Sequence, residues 1–290
     1  MKTPSSSKPD RRSEPVPFFS LPAQRGPALR PSLEHLFDRS HNTAMQEIME
    51  TIRRIAASHV NVLLLGESGT GKEWVAHMIH QASPRAVGRF VTVECSALTP
   101  EEIEREVFGY ESVQWREVDI KPGALERAND GTVLLNEIGS IPPALMFRIL
   151  RAVEFQSLRR MAGADDVTLN VRLVSTMTRP AGELRGHGIL PDGLLHRLSP
   201  IQVELLPLRK RREDIPMLIE TFLGDVESRP GTPALRFSQE AMRLCRDFEW
   251  PGNLRHLRNA VEYAAVMCGG DTIMPEHLPP YLHDESGRKA

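Results

Sequence analysis

The chain has 290 residues, 40% of them hydrophobic and 26% charged, with a formal net charge of −2. That length allows one large or two smaller domains with a real core, and the near-neutral balance excludes recruitment of nucleic acid by a global positive field. Cys95, Cys245 and Cys268 stand far apart with no CxxC pair, no apolar run reaches membrane-spanning length, and no secretory signal opens the chain, so the expectation is a cytoplasmic protein with reduced thiols, no zinc site and no membrane association.

Residues 1–31 are rich in Pro and Ser, and Asp10 and Glu14 dilute their scattered basic residues. This predicts a solvated, disordered tail, with a basic nucleic-acid-binding arm as the alternative. From residue 32 the pattern changes. Residues 45–56 place Met45, Ile48, Met49, Ile52 and Ile55 on one helical stripe. Residues 60–65 form a short apolar run ending at a glycine, as in a strand buried on both faces. Helical sequence follows from Lys72. Strands are predicted at 90–93, 132–135, 172–176 and 201–205, with helices at 100–108 and 142–154. Strands alternating with helices argue for an α/β fold on a parallel sheet. After Pro207 the pattern becomes all-helical, with candidates at 213–226, 239–248 and 253–267 and Ser238 as an N-cap. The predicted organisation is an α/β subdomain over 32–207, a helical subdomain over 208–284 and a short tail over 285–290. The few residues beyond Leu282 leave no room for another module, and direct sequence-specific DNA binding is not expected.

The strongest motif is Gly66-Glu67-Ser68-Gly69-Thr70-Gly71-Lys72, which follows a buried strand and opens a helix. Glycines let such a loop turn its N–H groups towards phosphate oxygens, the helix N-terminus adds its dipole, and Lys72 adds a point charge at the β- and γ-phosphates. The alternative, a chance glycine turn, does not explain the strand–loop–helix setting. The ligand expected is a nucleoside triphosphate, ATP first. Glu73 stands where a P-loop usually has a hydroxyl for Mg²⁺. A second element, Thr132-Val133-Leu134-Leu135-Asn136-Glu137, is an apolar strand ending in two polar residues, the pattern of a Walker B motif. Its first polar residue is normally a metal-holding Asp and its second a Glu that orients the attacking water. Here Asn136 carries no charge, although its amide can accept from metal-bound water, and Glu137 remains. Mg²⁺ is therefore expected to be weakly held, with no direct protein metal ligand.

Together these segments resemble the central AAA+ domain of bacterial enhancer-binding proteins, the activators of sigma-54 RNA polymerase. The resemblance runs over residues 37–282 and rests on GESGTGKE at 66–73, FGYE at 108–111, DGTVLLNEIG at 130–139, LPLRKRREDIP at 206–216 and WPGNLRHL at 250–257. It implies a P-loop ATPase with a parallel-sheet core and a helical lid, assembling into rings with itself or a related AAA+ activator and contacting sigma-54 RNA polymerase. Glu73 is usual in that family, and the basic run 209–212 matches the link between its subdomains. By resemblance, Arg255 belongs to the sensor II segment and would reach the γ-phosphate. Arg197 matches one of two interface arginines that enter the neighbouring subunit's site. For each arginine a surface ion pair is the plainer alternative.

Departures from the family accumulate around catalysis. The GAFTGA loop that grips sigma-54 is replaced by the sequence from Ser112 to Asp119, which includes Trp115. Asn136 replaces the Walker B Asp. Glu94 stands where the family has an Asn that hydrogen-bonds the catalytic Glu, which would set a carboxylate facing Glu137. Thr178 occupies the sensor I position, usually Asn. Pro191 replaces the second interface Arg. Phosphate binding needs only backbone and positive charge, whereas hydrolysis needs every group aligned. The leading expectation is therefore an ATP-binding regulator of the sigma-54 type with impaired hydrolysis, acting through a partner activator. The alternatives are an active ATPase that remodels sigma-54 polymerase unaided and a nucleotide-gated scaffold for a non-transcriptional partner.

Overall fold

In the computed structural model of the chain, the two faces of one fully apolar strand each meet a separate core cluster. The structure describes residues 37, 39–114, 117–178, 197–198, 200–229 and 234–283; side chains of 113–119 are not described. The tails expected at 1–31 and 285–290, Trp115 and Pro191 lie outside the described residues. Strand β1 (Val62–Leu65) is buried at every position. Val62 and Leu64 face one core cluster with helix α1 (Thr43–Ala56), while Leu63 and Leu65 face a second on the opposite side of the sheet.

The sheet has five strands in the order β2 (Phe90–Glu94), β5 (Thr132–Asn136), β8 (Arg172–Met177), β1, β9 (Ile201–Glu204). All of its pairings are parallel. The central strands β5 and β8 are buried throughout, while the edge strands β2 and β9 are partly exposed. This is why the central runs read as unbroken apolar stretches. Every predicted sheet strand is present, with boundaries shifted by a residue or two.

Helix α2 (Lys72–Gln81) leaves the P-loop, and α3 (Pro100–Phe108) starts at a capping box made by Thr99 and Glu102. A hairpin missing from the sequence reading follows, β3 (Gly109–Gln114) against β4 (Glu117–Pro122), where only a loop was expected. Gly109 at φ 72° lies so close to the returning strand that a Cβ would sit 2.3 Å from the Lys121 carbonyl oxygen. After the one-turn α4 (Ala124–Arg127) and α5 (Pro143–Glu154) comes a second unforeseen hairpin, β6 (Ser157–Arg159) with β7 (Asp166–Thr168). Arg160 ties the two hairpins, donating to Glu111 at 2.8 Å and to Glu126 at 2.6 and 2.9 Å.

The lid consists of α6 (Ile215–Glu227), α7 (Gln239–Asp247) and α8 (Asn253–Met267). Ser238 caps α7, accepting from the Ala241 N–H at 3.1 Å, as predicted. The all-helical reading of the lid needs correction: β10 (Arg236–Phe237) pairs in parallel with β11 (Thr272–Ile273). Two-residue strands carry too little periodicity to be read from sequence. Phe222, Trp250, Leu254 and Leu257 of the lid share one core cluster with Leu64, Val75 and Leu205 of the sheet subdomain.

Candidate functional site: the P-loop and the ends of the neighbouring strands

The loop between β1 and α2 adopts the conformation its glycines predict. Gly66, Gly69 and Gly71 have φ of 142°, 77° and 101°. A Cβ on Gly69 would meet the Gly252 carbonyl oxygen at 2.2 Å, so the lid backbone closes directly onto the loop. Lys72 folds back over it, donating to the Gly66 and Glu67 carbonyls at 2.8 and 3.2 Å. Its ammonium also reaches Thr178 Oγ1 at 3.3 Å and Glu137 Oε1 at 3.4 Å. Burial pushes the Lys72 ammonium below its ordinary range, opposed by the charges of Glu137 and Glu73.

The lid straps this loop at four successive residues. Arg209 forks onto the Glu67 carboxylate at 2.5 and 2.7 Å. Asn253, fully buried, donates to the Ser68 carbonyl at 2.9 Å and to Glu67 at 3.3 Å while accepting from the Leu208 N–H at 2.7 Å. The Leu254 N–H donates to the Gly69 carbonyl at 2.9 Å. Arg211, also buried, donates to the Thr70 carbonyl at 3.1 Å, and burial pushes its guanidinium down to about 10. The Arg209 guanidinium holds the Glu67 carboxyl below the usual range. Arg255 is exposed, with Nη1 3.5 Å from Ser68 Oγ, and its charge acts on Lys72 and Glu94.

The strand ends form the other half of the site. Glu137 has a left-handed backbone, φ 57°, and its N–H donates to Thr176 Oγ1 at 3.0 Å. Its carboxylate accepts from the Thr178 hydroxyl and from the Thr178 N–H at 3.0 Å. Thr178 thus reaches both Glu137 and Lys72 despite its short side chain. Asn136 is 6% exposed, and its amide hydrogens go to Glu73 Oε1 and Glu94 Oε2, both at 2.8 Å. Its Oδ1 accepts from the Thr176 hydroxyl, so the acceptor expected to serve metal-bound water is engaged inside the protein. Glu94 therefore does not simply face Glu137: Asn136 stands between carboxylates as a neutral donor. Desolvation raises the Glu94 carboxyl above its ordinary range; the Asn136 hydrogen bond opposes this, and the nearby charges of Glu73 and Glu137 add to it. Its side chain is open to solvent.

The tertiary structure brings Gly66 to Glu73, Glu94, Asn136, Glu137, Thr178 and Arg255 into one cluster. It leaves Arg197 outside this cluster, on the surface, where it pairs with Glu154 and lies over the Phe147 ring at 5.3 Å. Within one chain this is the surface ion pair that stood as the plainer alternative. Sequence reasoning missed Asn253, Arg211 and Thr176 as supports of the site, because each acts through contacts distant in sequence. Asn253 and Arg211 lie inside the WPGNLRHL and LPLRKRREDIP segments, which marked the stretches without singling out either residue.

A sigma-54 interaction domain model matches residues 39–204, and an AAA+ ATPase lid domain model matches residues 209–290. The chain belongs to the sigma-54 interaction family of AAA+ proteins. The nitrogen assimilation regulatory protein NtrX of Azorhizobium caulinodans is 37% identical over 242 residues, covering 82% of this chain and 53% of that protein. The regulatory protein AtoC of Escherichia coli K12 is 37% identical over 244 residues, covering 84% of this chain and 53% of that protein. The chain thus spans about half the length of the curated relatives it matches. Among solved structures, NtrX from Brucella abortus in complex with ADP superposes with a TM-score of 0.77 at 35% identity, over 84% of this chain and 55% of that one. Its ATP complex gives 0.76 at 35% identity, over 84% and 54%. The sigma-54 family member described here has the α/β P-loop fold with a C-terminal lid that its sequence predicted. No helix among its described residues is long and apolar enough to cross a membrane.

Proposed function

We propose that this protein is an ATP-binding AAA+ regulator of the sigma-54 type whose hydrolysis is impaired and which acts through a partner activator in a shared ring. The observation that carries this reading is the state of Asn136. Its amide is spent on Glu73, Glu94 and Thr176, so the strand end that usually offers an ionised carboxylate offers none. Binding needs less: loop N–H groups, the charge of Lys72 and the reach of Arg255. The positive-φ glycines of the loop, the position of Lys72 at its end and the contact of Arg255 with Ser68 support this part of the reading. Gly66 itself is held at φ 142°, where a Cβ would sit 2.9 Å from the Leu205 carbonyl oxygen, so the loop turns against the end of β9 at a position that only glycine fits.

Mg²⁺ fits the donor set. Glu73 and Glu94 are oxygen donors of the hard kind this ion prefers, and the ion is commonly held by one or two carboxylates together with nucleotide phosphates and water. No group of three or more His, Cys, Asp or Glu among the described residues is arranged to hold a metal ion. When bound, the ion neutralises charge on the β- and γ-phosphates. Glu137 would orient water, Thr178 would hold Glu137, and Arg197 would act on a neighbouring subunit's nucleotide.

A second reading, an active ATPase, is favoured by the assembly of Lys72, Glu137 and Thr178 in mutual contact. Steady-state ATP hydrolysis by the purified chain decides between them. The first reading expects ATP binding with turnover no faster than that of a Glu137→Ala variant. Robust turnover abolished by Glu137→Ala establishes the second. ATP-dependent capture of a complete activator tests the partner, and a chain that stays monomeric with ATP and captures none removes that part of the proposal.

A further inference from the structure

We propose that Glu94 is the carboxylate this chain offers to the cation of Mg²⁺·ATP, its β2 and β5 strand ends having kept a carboxylate–amide pair with the two members exchanged. Glu94 and Asn136 are register partners, the last paired residues of adjacent parallel strands. Their side chains meet at 2.8 Å. In the family pattern the β5 end carries the acid and the β2 end the amide; here the acid is on β2. The site therefore has the same formal charge, displaced by one strand spacing, about 4.8 Å.

The direction of the Asn136 amide is fixed by its neighbours. Thr176 donates to Oδ1 and also accepts the Glu137 N–H, so its single hydroxyl hydrogen points at Asn136. A flipped amide would turn its oxygen onto two carboxylates, and the assignment is settled by that conflict. Asn136 thus holds Glu73 and Glu94 side by side, each by one oxygen. Among the described residues, Glu94 Oε1 and Glu73 Oε2 take part in no hydrogen bond, and both side chains are open to solvent. A neutral amide between two acids is a brace that lets them stand close without a cation, yet leaves one oxygen of each for the water shell of an arriving ion. The charges of Glu73, Glu137 and Arg255 all act on the Glu94 carboxyl, so it shares their neighbourhood at the strand ends.

This inference rests on the ATP-binding reading above and is tested by binding, so turnover cannot confuse it. A fluorescent ATP analogue is titrated into the full chain over a range of Mg²⁺ concentrations, with hydrolysis followed in the same samples and folding checked by thermal melts. The wild-type chain is expected to bind the analogue more tightly as Mg²⁺ rises. Glu94→Gln is expected to raise the half-saturating Mg²⁺ concentration roughly tenfold or more, with metal-free affinity unchanged or improved. The exchange variant Glu94→Asn with Asn136→Asp is expected to restore the wild-type response. Retention of the full Mg²⁺ response by Glu94→Gln overturns the proposal while leaving the regulator reading intact. Rapid wild-type turnover overturns the regulator reading while leaving the role of Glu94 to the binding curves. If the exchange variant does not fold, Glu94→Gln alone decides.

Discussion

The two halves of the cluster are built by opposite means. On the P-loop side, each contact is made by a group suited to it: Arg209 to Glu67, Asn253 to Ser68, Leu254 to Gly69 and Arg211 to Thr70. These are charge-assisted or backbone-directed bonds between partners in fixed conformations, several of them buried. On the strand-end side, Glu73, Glu94 and Glu137 crowd around the neutral Asn136, and the arrangement depends on one amide. Under the proposed function, the difference means that gripping phosphate and acting on it are separable in this fold. The proposed grip rests on the lid and the glycines, whereas the proposed chemistry rests on the balance of charge at two strand ends.

The sharpest test of the grip is Lys72→Ala. Removing a buried cation that spans the loop and Glu137 is expected to weaken ATP binding by roughly 30-fold or more, about 2 kcal/mol, measured by equilibrium titration. Loss of binding in Asn136→Ala of the same size would erase the contrast between the two halves. Next in size is Asn253→Ala. It leaves the Leu208 N–H and Ser68 carbonyl without partners in a buried place, and a stability loss of about 2 kcal/mol is expected in denaturant unfolding.

Asn136→Asp tests the strand ends. It sets a third negative charge beside Glu73 and Glu94, so without Mg²⁺ the melting temperature should fall by an amount equivalent to about 1 kcal/mol, and Mg²⁺ should reverse the fall. A variant indifferent to Mg²⁺ would show that no cation enters there.

The smallest effect is expected from Glu67→Gln. Arg209 holds the folded-state carboxyl below its ordinary value of 4.5. Its contribution is therefore complete above the unfolded value and lost as pH falls through the folded one. The melting-temperature gap between wild type and variant should be largest at neutral pH and close in acid. Because the pair is partly exposed, the gap should correspond to less than about 1 kcal/mol. A gap that persists unchanged in acid would mean that Arg209 does not act through the Glu67 charge.

By itself the sequence determined the parallel sheet, the P-loop, the lid helices and most of the residues that cluster around the P-loop. Unbroken apolar runs, glycine spacing and helical stripes are local patterns, and buried strands and amphipathic helices leave them in any chain. The residues around Asn136 and Glu137 were legible as a departure, but only as substitutions along a line of text. The pairs β6–β7 and β10–β11 escaped notice because their strands are only two or three residues long, and β3–β4 because its polar residues carry no apolar run. Arg172 makes the same point. A charged residue at a strand start, it is buried and donates to the carbonyls of Ile55, Ala56 and Val60, which closes the end of α1 onto the sheet. Only the tertiary structure decided that Asn136 braces two acids, that Arg197 pairs with Glu154 within one chain, and that four lid contacts hold the phosphate loop. Each of these depends on which distant groups the sheet order sets within hydrogen-bonding distance, and hydrogen bonds act over about 3 Å in space whatever the separation in sequence.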